Sequence, residues 1–187
     1  MKTIKKISVL VLMFMTITTV FAIDKSEIEI IPFSEIEEES KQTIVEVALG
    51  NENFTTLVAA LKAANLVETL SSAGPFTVFA PVNAAFDKLP EGVVGDLLKP
   101  ENKEILTSIL TYHVVAGEFR AKDVVEAINA NNGSFVITTV QGGKLTATLK
   151  DGKVNLTDEK GKVSTVIIAD VDASNGVIHA IDTVVTP

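Results

Sequence analysis

The residues able to do chemistry in this chain are few: two histidines, His113 and His179, no cysteine, and a run of oxygen donors at Asp170, Asp172 and Ser174. Each histidine sits in an apolar stretch, YHVVA or NGVIHAID, and His179 shares an extended-chain face with Val177, Ile181 and Val185. That pattern reads as a buried imidazole held by a hydrogen bond rather than as a base facing solvent. A nucleophilic triad would also need a presented serine, yet the chain has no G-x-S-x-G elbow. Two histidines without cysteine do not make a zinc site. Asp170, Asp172 and Ser174 alternate like the ligands of a calcium loop. Gly176 comes one place late, however, and Ile181 stands where the closing glutamate belongs, so the stretch reads as a turn. No catalytic residue, metal or cofactor is expected. Glycan-acceptor sequons occur at Asn53, Asn132 and Asn155, of which Asn132 is explained by turn geometry.

Composition narrows the setting. Lys2, Lys5 and Lys6 precede an apolar run from Ile7 to Phe21 and a small residue at Ala22, the pattern of a bacterial secretory signal peptide over residues 1–22. Thr16, Thr18 and Thr19 interrupt the run, which argues against a membrane anchor. Loss of those three lysines takes the formal charge from −8 to −11, which excludes nucleic acid and anionic lipid as partners. An exported chain without cysteine has no disulfide to rely on, so its stability must come from a sizeable core. Residues 23–42 carry seven acids against Lys25 and Lys41, with Pro32 between them, and read as an acidic spacer. The folded domain is expected over residues 43–187.

The elements that must position these side chains follow from periodicity. The stretch FTVFAPVNAAF, Phe76 to Phe86, passes from strand to helix while staying apolar. Phe76, Val78 and Ala80 point to one face and Thr77 and Phe79 to the other, so both faces are covered and the strand is interior. Pro81 ends the pairing, Asn83 is read as the cap of the next turn, and Phe86 folds back to the core. Upstream, Ile44, Val45, Ala48 and Leu49 mark one helix, and Phe54, Leu57, Val58 and Leu61 a second, with Leu66, Val67 and Leu70 in a short third. Leu89, Val93, Val94, Leu97 and Leu98, limited by Pro90 and Pro100, allow one or two short turns. Ile105, Leu106, Ile109 and Leu110 then form a helix with Glu101 and Glu104 at its positive end. Tyr112 to Ala116 is read as a strand on its branched and aromatic content, and Val124, Val125 and Ile128 as another short helix.

The last third is β-rich. Gly142-Gly143, Asp151-Gly152 and Lys160-Gly161 separate alternating segments and predict hairpins, because tight turns that match strand twist need positive φ. The run Val166, Ile167 and Ile168 is expected in the interior. The fold class is α+β: amino-terminal helices packed on an antiparallel β-sandwich or wedge.

Two stretches of this chain resemble the conserved boxes of fasciclin domains. Thr77 to Phe86 is similar to the first box, T-V-F-A-P-T-[ND]-x-A-F, departing from it at Val82, and Asn175 to Asp182 to the second; Thr77, Phe79, Pro81, Asn83, Phe86, Asn175, Gly176, His179 and Asp182 carry the match. Tyr112-His113 resembles the tyrosine-histidine motif between the boxes. The resemblance implies a fasciclin fold and an adhesion or matrix-binding role, through a surface protein or a polysaccharide. It implies as contact residues Asn102, Lys103, Glu104, Ile105 and Leu106, which resemble the N-K-D-I-L segment that animal members use towards integrins, together with Tyr112 and His113. Asp170-Val171 is similar to part of a second such segment, E-P-D-I-M. The bacterial leader argues against a mammalian integrin as the native partner. Family comparison also raises two alternatives, a carrier of a small apolar ligand such as a carotenoid or lipid, and a weak ester hydrolase. The expected location is secreted, periplasmic or cell surface.

Overall fold

The computed structural model describes residues 41–187, so the expected leader and all of the acidic spacer but Lys41 and Gln42 lie outside the described residues. The helices are α1 (Ile44–Leu49), α2 (Thr55–Ala63), α3 (Val67–Leu70), α4 (Asn83–Phe86), α5 (Val93–Leu97), α6 (Lys103–Tyr112) and α7 (Ala121–Ala130). The strands are β1 (Phe76–Pro81), β2 (Val114–Ala116), β3 (Ser134–Thr138), β4 (Lys144–Lys150), β5 (Lys153–Thr157), β6 (Val163–Ala173) and β7 (Gly176–Ile181). They form one seven-stranded sheet in the order β2-β1-β7-β6-β5-β4-β3. The class is α+β, as the sequence indicates.

The expectation of a wholly antiparallel sheet is corrected at one place: β1 and β7 run parallel, from Phe76↔Gly176 to Pro81↔Ile181. They are the two box strands, about 95 residues apart in sequence, and parallel neighbours need a long crossover. Here α4 to α7 and the β3–β6 meander supply it. Pro81 stays in register with Ile181, and pairing stops one residue later, where the Val82 N–H donates to the Ile181 carbonyl at 3.1 Å.

The core is split by the sheet. Val78, Ala80, Ile178 and Ala180 pack with Ile44, Phe54, Leu57, Leu61, Leu106 and Leu110 from the helices. Phe79 and Ile181 face the other way, into a cluster with Val124 and Ile128 of α7 and Leu145, Ala147 and Leu156 of the β meander. Alternation along β1 therefore feeds two hydrophobic clusters, one on each face.

Two local readings change and one holds. Tyr112 is the last residue of α6 and His113 its C-cap, so the strand begins only at Val114. Leu106 and Leu110 pack into the helical cluster while Tyr112, on the opposite side of α6, is buried in the cluster on the other face of the sheet, and this tertiary packing overrides the strand propensity of the YHVV stretch. Ile167 and Ile168 are 44% and 50% exposed rather than interior. Register shifts between Val166 and Ile168, and between Ile168 and Val171, break the alternation that would have turned one of them inward. Finally, the Asp151-Gly152 turn has φ of 52° and 74°, the positive pair that a two-residue hairpin requires, so β4 and β5 meet as expected.

Candidate functional site

The box residues are occupied by the fold itself. The Thr77 hydroxyl donates to the Gly117 carbonyl at 2.7 Å and accepts from the Phe119 N–H at 2.8 Å. His179, 2% exposed, accepts from the Asp170 N–H at Nδ1 (3.2 Å), so its proton sits on Nε2 and is donated to the Phe119 carbonyl at 2.7 Å. Asp170 in turn accepts from the Ala121 N–H at 2.8 Å. Thr77, His179 and Asp170, from three strands, thus pin the loop that launches α7. Phe79 stacks on the His179 ring with centroids 5.7 Å apart.

Asn83 does not cap its own turn. Its Oδ1 accepts from the Thr56 N–H at 3.1 Å and the Thr55 hydroxyl at 3.2 Å, and its Nδ2 donates to the Glu52 carbonyl at 2.8 Å. It caps α2 from a distance, because Asn83 is already the first residue of α4 while the free amides of α2 lie beside it. Asn175 acts likewise. Its Oδ1 accepts from the Ile44 N–H at 2.9 Å, and its Nδ2 donates to the Leu70 and Ser72 carbonyls at 2.8 and 2.9 Å. Gly176 follows at φ 151°, and a Cβ there would run into the Phe76 carbonyl. The Asp182 carboxylate is partly buried, which raises its pKa, but the Thr165 N–H, the Thr183 hydroxyl and Lys88 Nζ outweigh that and hold it below the ordinary value. Phe86 is half-buried against the helical cluster.

His113 is 2% exposed. The Val185 N–H donates to its Nε2 at 3.3 Å, leaving Nδ1 protonated and donating to the Ile109 carbonyl at 2.8 Å. Burial first, and then the Lys162 charge, push its pKa down to about 4 against the hydrogen bond to Ile109. Both imidazoles have their nitrogens on backbone groups, with no serine hydroxyl among their partners. Tyr112 is buried too, its hydroxyl donating to the Lys144 carbonyl at 2.7 Å, and burial raises its phenol pKa.

Of the expected contact residues, Leu106, Tyr112 and His113 therefore belong to the core, Glu104 and Ile105 are exposed, and Asn102 and Lys103 are half-buried. Asp170 is exposed and Val171 half-buried, on β6. Ile105, 55% exposed, projects into a depression of ≈ 430 Å³ lined also by Glu104, Ser108, Ile109, Lys160, Thr186 and Pro187. The far wall is set by a residue that sequence reasoning missed. Asp158, buried, accepts from the Lys160 N–H (3.0 Å) and Lys162 N–H (2.8 Å) through Oδ1 and from the Thr186 N–H (3.0 Å) through Oδ2. One carboxylate holds the β5–β6 turn and the carboxy-terminal segment together. Its position before a Lys-Gly turn suits a local turn bond; the bond to Thr186 has no local signal.

A helical layer on a sheet, with the box residues engaged in joining the elements, defines the class of fold. The fasciclin domain model matches residues 52–187, and the chain belongs to the fasciclin domain family. It is 54% identical over 150 residues to Protein sll1483 of Synechocystis sp., covering 80% of this chain and 76% of that protein. It is 38% identical over 153 residues to Immunogenic protein MPB70 of Mycobacterium bovis, covering 79% of this chain and 70% of that one. Among solved structures it resembles a FAS1 domain pair from the insect cell adhesion molecule fasciclin I, with a TM-score of 0.68 at 20% identity, over 78% of this chain and 51% of that one. No described helix is long and apolar enough to cross a membrane.

Proposed function

We propose that this protein is a non-catalytic, exported adhesion or matrix-binding module, and that the depression over α6 is its contact surface for a surface protein or a polysaccharide. The observation that carries the reading is Ile105. It is a large apolar side chain left in water on a helix that anchors Leu106, Leu110 and Tyr112 in the core, and it stands beside one acid, Glu104, and opposite one base, Lys160. An apolar centre with a charged rim is the usual anatomy of a protein contact. Family membership supports an adhesive role, and the leader pattern supports export. The absence of catalysis is supported by both imidazoles being closed off by backbone partners.

The domain is read as starting at Thr43, ahead of the family match. Thr43 and Glu46 form a capping box, and the Ile44 N–H donates to Asn175, which ties α1 into the second box strand.

The test is capture from native surface extracts by the immobilised chain, with protein and glycan both analysed. Ile105→Asp should reduce the captured partner by about tenfold or more, as loss of a contact centre does. Lys160→Glu should reduce it less. Equal capture by wild type and Ile105→Asp would overturn this surface, and unchanged cell attachment on deleting the gene would overturn the adhesive role.

A further inference from the structure

A second concavity shares no lining residue with the α6 depression. Between the start of α7 and the β4–β5 hairpin, β5 pairs with β6 only as far as Asn155↔Thr165, after which Val154 and Val166 separate and leave a slot of ≈ 220 Å³. Phe79 and His179, stacked and almost wholly buried, form its floor, and Val124, Val154 and Ile167 are among its walls. The polar atoms of His179 are bonded away, so the floor is apolar. Lys153 is the single charged residue lining it, and it has no ion-pair partner among the described residues.

We propose that this slot binds a small carboxylate with a single-ring or short alkyl body, the body on the Phe79–His179 floor and the carboxylate at Lys153. Size sets the first half of the assignment. A cavity of roughly 150 Å³ holds benzene, so this one admits a ring with a short chain and is below the roughly 300 Å³ at which drug-sized pockets begin. A forty-carbon polyene does not fit in it. Charge sets the second half. Lys150 and Lys153 are paired directly across the hairpin, where like charges repel, and an anion beside Lys153 relieves that repulsion. Asp151, in the turn between them, is not part of the lining. The loop that launches α7 is pinned by Thr77, His179 and Asp170, so one wall is fixed before any ligand arrives.

The experiment is a titration of the full chain with 4-phenylbutyrate and with its neutral amide, followed by the methyl resonances of Val124, Val154 and Ile167. The acid should shift all three residues saturably and bind about tenfold more tightly than the amide. Lys153→Gln should erase that preference, and Ala169→Phe, which adds a ring at the lining, should abolish the shifts. The wild-type shifts stand whether or not the variants fold. No saturable shift up to about 10 mM acid, far above what a ligand of this size needs in a fitted site, would overturn the proposal. So would equal affinity for acid and amide, or shifts confined to residues outside the slot.

Discussion

His113 closes the joint between the end of α6 and the carboxy-terminal segment, and it does so only as a neutral ring. Val185 N–H points at Nε2, so a proton added there would meet another proton. The sign of the pH effect follows from the ordinary value of 6.5 falling to about 4 in the fold. Below 6.5 the unfolded chain takes up a proton that the folded chain refuses, so the His113 contribution is complete above 6.5 and is lost as pH falls towards 4. The displacement corresponds to roughly 3 kcal/mol. Urea midpoints should therefore drop between about pH 6.5 and about pH 4, and the drop should flatten in His113→Gln; a midpoint constant across that range in the wild type would contradict the placement of the ring. Asp182 acts in a lower window. Its depressed carboxyl contributes above its ordinary value of 3.8 and is lost as pH falls through its folded value. Asn83 makes a separate case at this scale. Asn83→Ala should cost about 1 to 2 kcal/mol, the loss of a helix cap, with protection lost from the Thr56 amide in hydrogen exchange rather than from α4.

At the scale of elements, the junctions matter more than the elements they join. Asn175 satisfies one donor at the start of α1 and two acceptors at the end of α3, and its neighbour Gly176 lets β7 lie against β1. Asn175→Ala leaves three backbone groups unpaired and should cost about 2 to 4 kcal/mol in thermal or urea unfolding. Gly176→Ala should cost at least as much, because its Cβ is driven into the Phe76 carbonyl at the first rung of the parallel pair. Asp158 joins the β5–β6 turn to Thr186 in the same manner. Asp158→Ala should lower stability by about 1 to 3 kcal/mol and weaken capture of the surface partner even where the fold survives, because Lys160 and Thr186 no longer share a wall. Retained stability with lost capture would separate the positioning role from the structural one.

At the scale of the whole molecule, the two clusters on either face of the sheet depend on chain segments far apart in sequence. Ile44, Val45 and Ala48 of α1 are buried in the helical cluster although the family match begins later, at residue 52. Relative to a chain starting at Lys41, a chain starting at Asn51 should lose roughly 4 to 6 kcal/mol or fail to fold. Circular dichroism melts of the two truncations check this, and equal melting would show that α1 is dispensable.

Much of this was legible in the sequence because it is local. Alternation in Phe76 to Pro81 places Val78 and Phe79 on opposite faces whatever the partners are, the 3.6-residue period marks α2 and α7, and Asp151-Gly152 supplies positive φ within two residues. Tertiary structure alone decided the rest. Whether Asn83 caps its own helix or α2, whether β1 and β7 run parallel, whether the bulges in β6 leave Ile167 and Ile168 in water, and whether Asp158 also takes the Thr186 amide are all settled by neighbours many residues away. The two concavities have the same origin. Each exists where elements diverge, and the lining of each comes from segments whose only link is the fold, so no periodicity along the chain records them.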